Sequence, residues 1–356
     1  MADLINAAGA DLLANRIESL IEESRKRVIT QVNSVMVHTY FEIGRAIVEN
    51  EQSGELRAEY GKRLMSELSA KLTIRFGKGF SQRNLEQMRQ FYLVYSDRLA
   101  SSTGCSEIAQ TVSAQFSLSW SHYLFLMRID NLDERNFYEQ EAIQEQWSLR
   151  EMKRQFSSAL FERLALSRDK NTVAKLSRQG IIVEKPEDIV KDPYVLEFLG
   201  LPEDNRYSES MLEQQIIDKL QAFLMELGKG YTFVGRQVRL TFDEKHFYCD
   251  LVFFNRLLQC FVLIDLKTDE ITHQDLGQMQ MYVHYYDRNV KLPSENPTVG
   301  IILCKKKDNT LVELTLPEDN KQIFASKYQT VLPNKEELVR LLDERLVYEA
   351  EGDVNE

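Results

Sequence analysis

The chain has 356 residues, 43% hydrophobic and 28% charged, with 7 Pro and 15 Gly, which excludes a disordered or collagen-like protein and exceeds what one core accommodates. No apolar run approaches the roughly 20 residues of a membrane span. The N-terminus (MADLINAAGADLLANRIESL) has acids where a secretory signal has bases, so a cytoplasmic protein with no membrane partner is expected. The net charge of −11 rules out a surface coated in phosphate-binding base, though not positive charge gathered in one groove.

From Ile17 to about Arg168 apolar residues recur at three- and four-residue spacings, and the first proline is Pro186, which predicts an all-helical N-terminal domain over residues 1–168. Within it Tyr60, Leu64, Leu68 and Leu72 make one stripe. The run breaks at Gly77-Lys78-Gly79, and Ser81 caps a second helix carrying Leu85, Met88, Tyr92 and Tyr95. Lys71, Arg75, Lys78, Arg83 and Arg89 surround this turn against the single acid Glu86. Helix pairs of this kind are common in ordinary bundles, so the basic face reads either as solvated surface or as a helix-turn-helix-like contact with DNA or a protein partner. Further helices are expected from Ser119 or Ser121 through Met127, from Leu132 to Ala142 and from Ser148 to Leu164.

Residues 169–208 mix charge and proline with one apolar cluster, Tyr194 to Leu199, and read as a linker that docks. Beyond it comes an α/β domain over 209–350. Its expected elements are a helix from Leu212 to Leu227, strand runs at Tyr231–Val234, Gln237–Phe242, His246–Phe254 and Gln259–Leu266, a helix from Thr272 to about Arg288, and a buried strand from Thr298 to Cys304. An acidic helix from Lys335 to Ala350 and a frayed tail, 351–356, close the chain.

The four cysteines (Cys105, Cys249, Cys260, Cys304) are far apart and form no C-x-x-C pair, and the histidines show no H-E-x-x-H arrangement, so zinc is not written here. The notable charges are Asp250 in HFYCDLVFF and Asp265 with Lys267 in CFVLIDLK. Buried carboxylates in a packed sheet need a cation, a metal or strong hydrogen bonds. Joining the two strands across Asn255-Arg256-Leu257-Leu258 predicts that residue 250 pairs with Leu263. Asp265 then lies on the same face as Asp250, roughly 7–8 Å away along the diagonal. Lys267 shares that face, and oxygen ligands without His or Cys suit Mg²⁺ or Mn²⁺ completed by substrate phosphate. An ordinary cross-strand ion pair is the competing reading.

This segment resembles the PD-(D/E)XK nuclease superfamily, with Asp250 as the first acid, Asp265-Leu266-Lys267 as the D-x-K and Gln278 to Tyr282 as the Q-x-x-x-Y of its RecB-like branch. The whole chain is similar to the YhcG-like bacterial proteins, a likeness carried by GFSQRNLEQMRQFY (79–92), SWSHYLFLMRI (119–129), DPYVLEFLGL (192–201), MELGKGYTFVGRQ (225–237), FYCDLVFFNR (247–256) and QMQMYV (278–283). Two departures are Cys249 in place of the proline before the first acid, and Asp265 where many members have Glu.

The resemblance implies a restriction-endonuclease-like fold with a mixed central sheet and metal-dependent hydrolysis of DNA. Asp250, Asp265, the Leu266 carbonyl and Glu213 would bind the metal, while Lys267 positions water or phosphate. Gln278, Tyr282, Arg236 and Gln237 would touch DNA, and Lys78, Arg83 and Arg89 would do so from the N-terminal domain. Two alternatives stay open: an inactive nuclease-fold module that binds DNA or assembles with a partner, and a structure-selective junction resolvase, which requires a homodimer.

Overall fold

The computed structural model describes residues 2–53, 58–100, 116–166, 170–202, 207–242 and 245–340. The chain divides into two compact units, Met1–Leu149 and Arg150–Glu356.

The first unit is helical among its described residues. Helix α1 runs Ala2–Ser53, α2 Ala58–Phe76, α3 Gln82–Ala100, α4 Trp120–Leu126 and α5 Leu132–Gln144. Between α2 and α3 the chain makes a single 3₁₀ turn, Lys78–Phe80. Gly77 enters it at φ 91, a conformation that costs glycine least. Ser81 caps α3 as the sequence predicts, its hydroxyl accepting from the Asn84 N–H at 3.4 Å. The C-terminal half of α1 packs on α3 through Val37, Phe41 and Ile47 against Leu85, Met88 and Phe91, all buried. The two helices approach so closely that a Cβ on Gly44 would lie 2.0 Å from the Met88 carbonyl oxygen.

The second unit begins with α6 (Leu149–Ser157), α7 (Leu160–Leu166) and α8 (Lys170–Gln179). Residues 150–166, expected with the N-terminal domain from their periodicity, fall within this unit and are tied to it by one buried acid. Glu226 Oε1 accepts from Arg163 at 2.7 Å and from the Val195 N–H at 3.0 Å, and its Oε2 lies 3.3 Å from Arg154. Arg163 and Glu226 are both wholly buried. Nearby cations, Arg163 foremost, outweigh the desolvation of Glu226 and hold it down to about 2.

A six-stranded sheet follows among the described residues: β1 (Tyr194–Val195), β2 (Tyr231–Phe242), β3 (Lys245–Asn255), β4 (Cys260–Glu270), β5 (Val299–Lys306) and β6 (Ile323–Gln329), in the order β1-β6-β5-β4-β3-β2. β2, β3 and β4 are antiparallel, while β4, β5, β6 and β1 are parallel, so the sheet is mixed as expected. The docking cluster Tyr194–Leu199 supplies the edge strand β1. The predicted helix 212–227 is two, α9 (Glu209–Asp218) and α10 (Leu220–Leu227), broken at Lys219 (φ −120, ψ 33). The runs 231–234 and 237–242 form one strand with an irregular register between Phe233 and Gly235. Three elements were not foreseen: α8, which lies within the stretch 169–208 expected to be a linker, β6 and the short helix α12 (Asn309–Thr315). Helix α11, His273–Asn289, covers one face of the sheet, and α9 and α10 pack into the core of the other. Helix is present over 335–340; the rest of the predicted C-terminal helix and the tail 351–356 lie outside the described residues.

Candidate active site

The hairpin between β3 and β4 sets the site. Its register differs from the sequence expectation by two residues: Asn255 pairs with Cys260 and Leu251 with Ile264, so Asp250 lies across from Asp265 rather than from Leu263. The cause is Asn255. Its buried side-chain carbonyl accepts the N–H groups of Leu257 and Leu258 at 3.0 and 3.1 Å, which starts the turn one residue later than the pattern indicated and makes the loop Arg256–Gln259. A two-residue slip preserves the face, so the alternation of Asp265 and Lys267 is unaffected.

Ladder pairing stops at Leu251–Ile264. There the Asp250 carboxylate takes over, its Oδ2 accepting the backbone N–H of Leu266 at 2.8 Å. In an extended strand the N–H and C=O of one residue point to the same edge, so the Leu266 carbonyl is turned toward the same side. On β2, Gln237 sits between the pairs Arg236–Leu251 and Val238–Cys249 and has φ 47. Its amide donates to Asp250 Oδ1 at 2.9 Å and to Glu213 Oε2 at 2.6 Å, and Arg236 Nε lies 3.2 Å from Glu213 Oε1. Glu213 reaches the site because Ser208 caps α9 by accepting from the Met211 N–H, which fixes the first turn and the buried acid one turn on.

Asp265 is 3% exposed. Burial first, and the Asp250 charge second, push its carboxyl up to about 7 against the pull of Lys267. The Lys267 ammonium is 3.0 Å from Asp265 Oδ2, 3.6 Å from Glu209 and 3.9 Å from Asp275. Burial favours loss of its proton, but the surrounding carboxylates, Asp265 foremost, more than compensate, and its pKa stands above the ordinary lysine value. Glu209 and Asp275 were missed in the sequence. Asp275 was detectable, since Thr272 and Asp275 form the capping box that opens α11.

Gln278 and Tyr282 share one face of α11, as their spacing requires; Gln278 is half-buried and Tyr282 turns inward. The Tyr282 ring is fully buried, and its hydroxyl donates to the Tyr248 carbonyl at 2.9 Å while receiving the Gln278 amide. Tyr282, expected against DNA, instead braces the strand that leads into Asp250. Arg236 and Gln237 are exposed, and so are Lys78 and Arg83. Arg89 is half-buried and paired with Glu51 at 2.7 Å.

No three His, Cys, Asp or Glu side chains among the described residues are grouped to hold a metal. The donors still fit a hard divalent cation. Asp265 Oδ2 and Glu213 Oε1 are buried and met only by the Lys267 ammonium and the Arg236 guanidinium, as ion pairs, and Mg²⁺ needs only one or two carboxylates when water and phosphate complete its shell. Among the described residues, no helix is long and apolar enough to cross a membrane.

Residues 187–343 match the family described as the YhcG PDDEXK nuclease domain, and residues 16–163 match the DUF1016 N-terminal domain. A protein of Escherichia coli (strain K12) named "Putative nuclease YhcG" is 38% identical over 95% of this chain and 94% of its own length. A repair endonuclease from Pyrococcus abyssi of solved structure aligns with 37% of this chain and 50% of its own, at 13% identity and a TM-score of 0.24. With that identity extending over almost the full length of both proteins, the chain belongs to the YhcG family, a DUF1016 N-terminal domain followed by a PDDEXK nuclease domain.

Proposed function

We propose that this protein is a cytoplasmic DNA endonuclease that depends on Mg²⁺ or Mn²⁺. The observation that carries the reading is Asp250 standing across the end of the β3–β4 ladder from the buried Asp265, with Lys267 beside it. Asp250, Asp265 and the Leu266 carbonyl would hold the cation, and Glu213 would support it directly or through water. A divalent cation there supplies electrostatic stabilisation for charge that develops on a phosphodiester under attack by water.

The chain's own groups do the rest. Lys267 keeps its proton, so it orients water or phosphate as a cation and does not act as a base. Gln237 holds Asp250 and Glu213 in fixed relation through one amide. Arg236, exposed beside it, meets the phosphate backbone, as does the half-buried Gln278. Tyr282 contributes by holding β3 in place. In the helical domain, Lys78 and Arg83 offer their charge to DNA, and Arg89 does so less, since Glu51 already neutralises part of it.

Incubation with supercoiled plasmid tests this, with Mg²⁺ or Mn²⁺ and beside Asp250→Ala and Lys267→Ala. Nicking by the wild type that both substitutions abolish is expected. Binding without cleavage would identify an inactive module, and four-way junctions cut far faster than duplex would identify a resolvase.

A further inference from the structure

Residues 13–32 of α1 are exposed wherever their side chains are described, yet they form part of a long apolar stripe. Ile17, Ile21, Val28 and Val32 run along its middle, 46–60% exposed. At 3.6 residues per turn the stripe centres between Ile21 and Val28, on the side of α1 roughly opposite Val37 and Phe41, which face the core. Among the described residues, its own domain therefore uses one side of α1 and leaves the other bare. A helix with that much apolar surface in water is an interaction surface.

We propose that the occupant is α1 of a second copy of this chain, lying antiparallel about a two-fold axis between Ser24 and Arg25. Such an isologous contact sets residue i of one copy against residue j of the other and j against i, so apolar residues must stand at both positions. Ile21 lies level with Val28 of the other copy and Ile17 with Val32, each pair equidistant from that midpoint and within about 30° of the middle of the stripe.

Charge follows the same symmetry. In this arrangement Glu22 of one chain and Arg25 of the other fall on the same flank, offset by about 3 Å along the axis, so the two Glu22 carboxylates balance the two Arg25 side chains that the two-fold brings together there. Ile17 to Val28 and Ile21 to Val32 are eleven residues apart, so the stripe stays straight along the helix and does not demand a left-handed supercoil. The proposal stands independently of the nuclease reading.

The test is sedimentation equilibrium on the full-length protein. The wild type is expected to be a dimer, and Ile21→Glu or Val28→Glu should raise its dissociation constant at least a hundredfold. Circular dichroism should be unchanged, because both side chains are exposed in the single chain. Orientation is read by mild oxidation: Ile17→Cys mixed with Val32→Cys should cross-link between copies, and Ile17→Cys alone should not. The proposal is overturned by a monomeric wild type, including one that co-floats with lipid vesicles. A dimer that ignores both glutamate substitutions, or preferential Ile17→Cys self-linkage, also overturns it.

Discussion

Gln237 lies across the β2–β3 ladder from Asp250 and donates its side-chain amide to Asp250 Oδ1 at 2.9 Å, while the same nitrogen reaches Glu213 Oε2 at 2.6 Å. Its backbone is left-handed, φ 47, a conformation that costs a non-glycine residue on the order of 1 kcal/mol. The strain aims one amide at two acids contributed by different elements, α9 and β3.

Gln237→Gly therefore separates backbone from amide. Glycine accepts the left-handed backbone, so stability should change by less than about 1 kcal/mol. Plasmid nicking should fall on the order of tenfold or more, as is usual when a partner orienting metal-site ligands is lost. Urea denaturation and initial nicking rates measure the two; unchanged nicking would remove Gln237 from the site.

Asp265 supplies a pH dependence. The folded protein keeps this proton up to about 7, whereas an unfolded chain releases it near the ordinary aspartate value. Between those limits the folded state binds more protons, so the metal-free protein should lose stability as pH rises through the window and level off above it. Cation affinity should move the other way, rising about tenfold per pH unit toward 7, because the ligand must be deprotonated. Asp265→Asn should flatten the stability profile and abolish cation uptake, followed by thermal denaturation and titration calorimetry.

Tyr282→Phe removes a hydroxyl that is shared between the Tyr248 carbonyl and the Gln278 amide. The expected cost is about 1–2 kcal/mol of stability, with kcat falling and KM for DNA unchanged. A rise in KM with kcat preserved would instead restore Tyr282 to the DNA surface.

Glu226→Ala should be among the most damaging single changes in the second unit. It leaves the buried Arg163 without its carboxylate, at a cost of about 3–5 kcal/mol. The wild-type carboxylate is held down to about 2, so its contribution is present above the ordinary carboxylate range and is lost as pH falls toward that value. Acid titration of the wild type, watched by circular dichroism, reads the same interaction.

Lys78→Ala and Arg83→Ala should each reduce the salt dependence of DNA binding by about 0.9 in the log–log slope. Arg89→Ala should change the slope less and stability more, because its guanidinium is already committed to Glu51. Binding isotherms at several salt concentrations distinguish the three.

Much of the fold is legible in the sequence alone. Alternation placed Asp265 and Lys267 on one face of β4, a spacing of four placed Gln278 and Tyr282 on one face of α11, and a Ser before an apolar run marked the start of α3. Each of these depends only on neighbours along the chain. β6 escaped notice because Ile323–Gln329 has no clean two-residue alternation; its burial is set by β5 and β1 on either side.

What the sequence determined by itself, then, is the order and kind of most elements and which side chains share a face, since backbone periodicity is local. Tertiary structure decided the rest. The Asn255 turn set Asp250 opposite Asp265, burial raised the Asp265 pKa and sent Tyr282 to a backbone carbonyl, and Glu226 paired with Arg154 and Arg163 from far along the chain. Register, desolvation and ion-pair choice are energies of contact between segments distant in the chain, and no pattern within one segment encodes them.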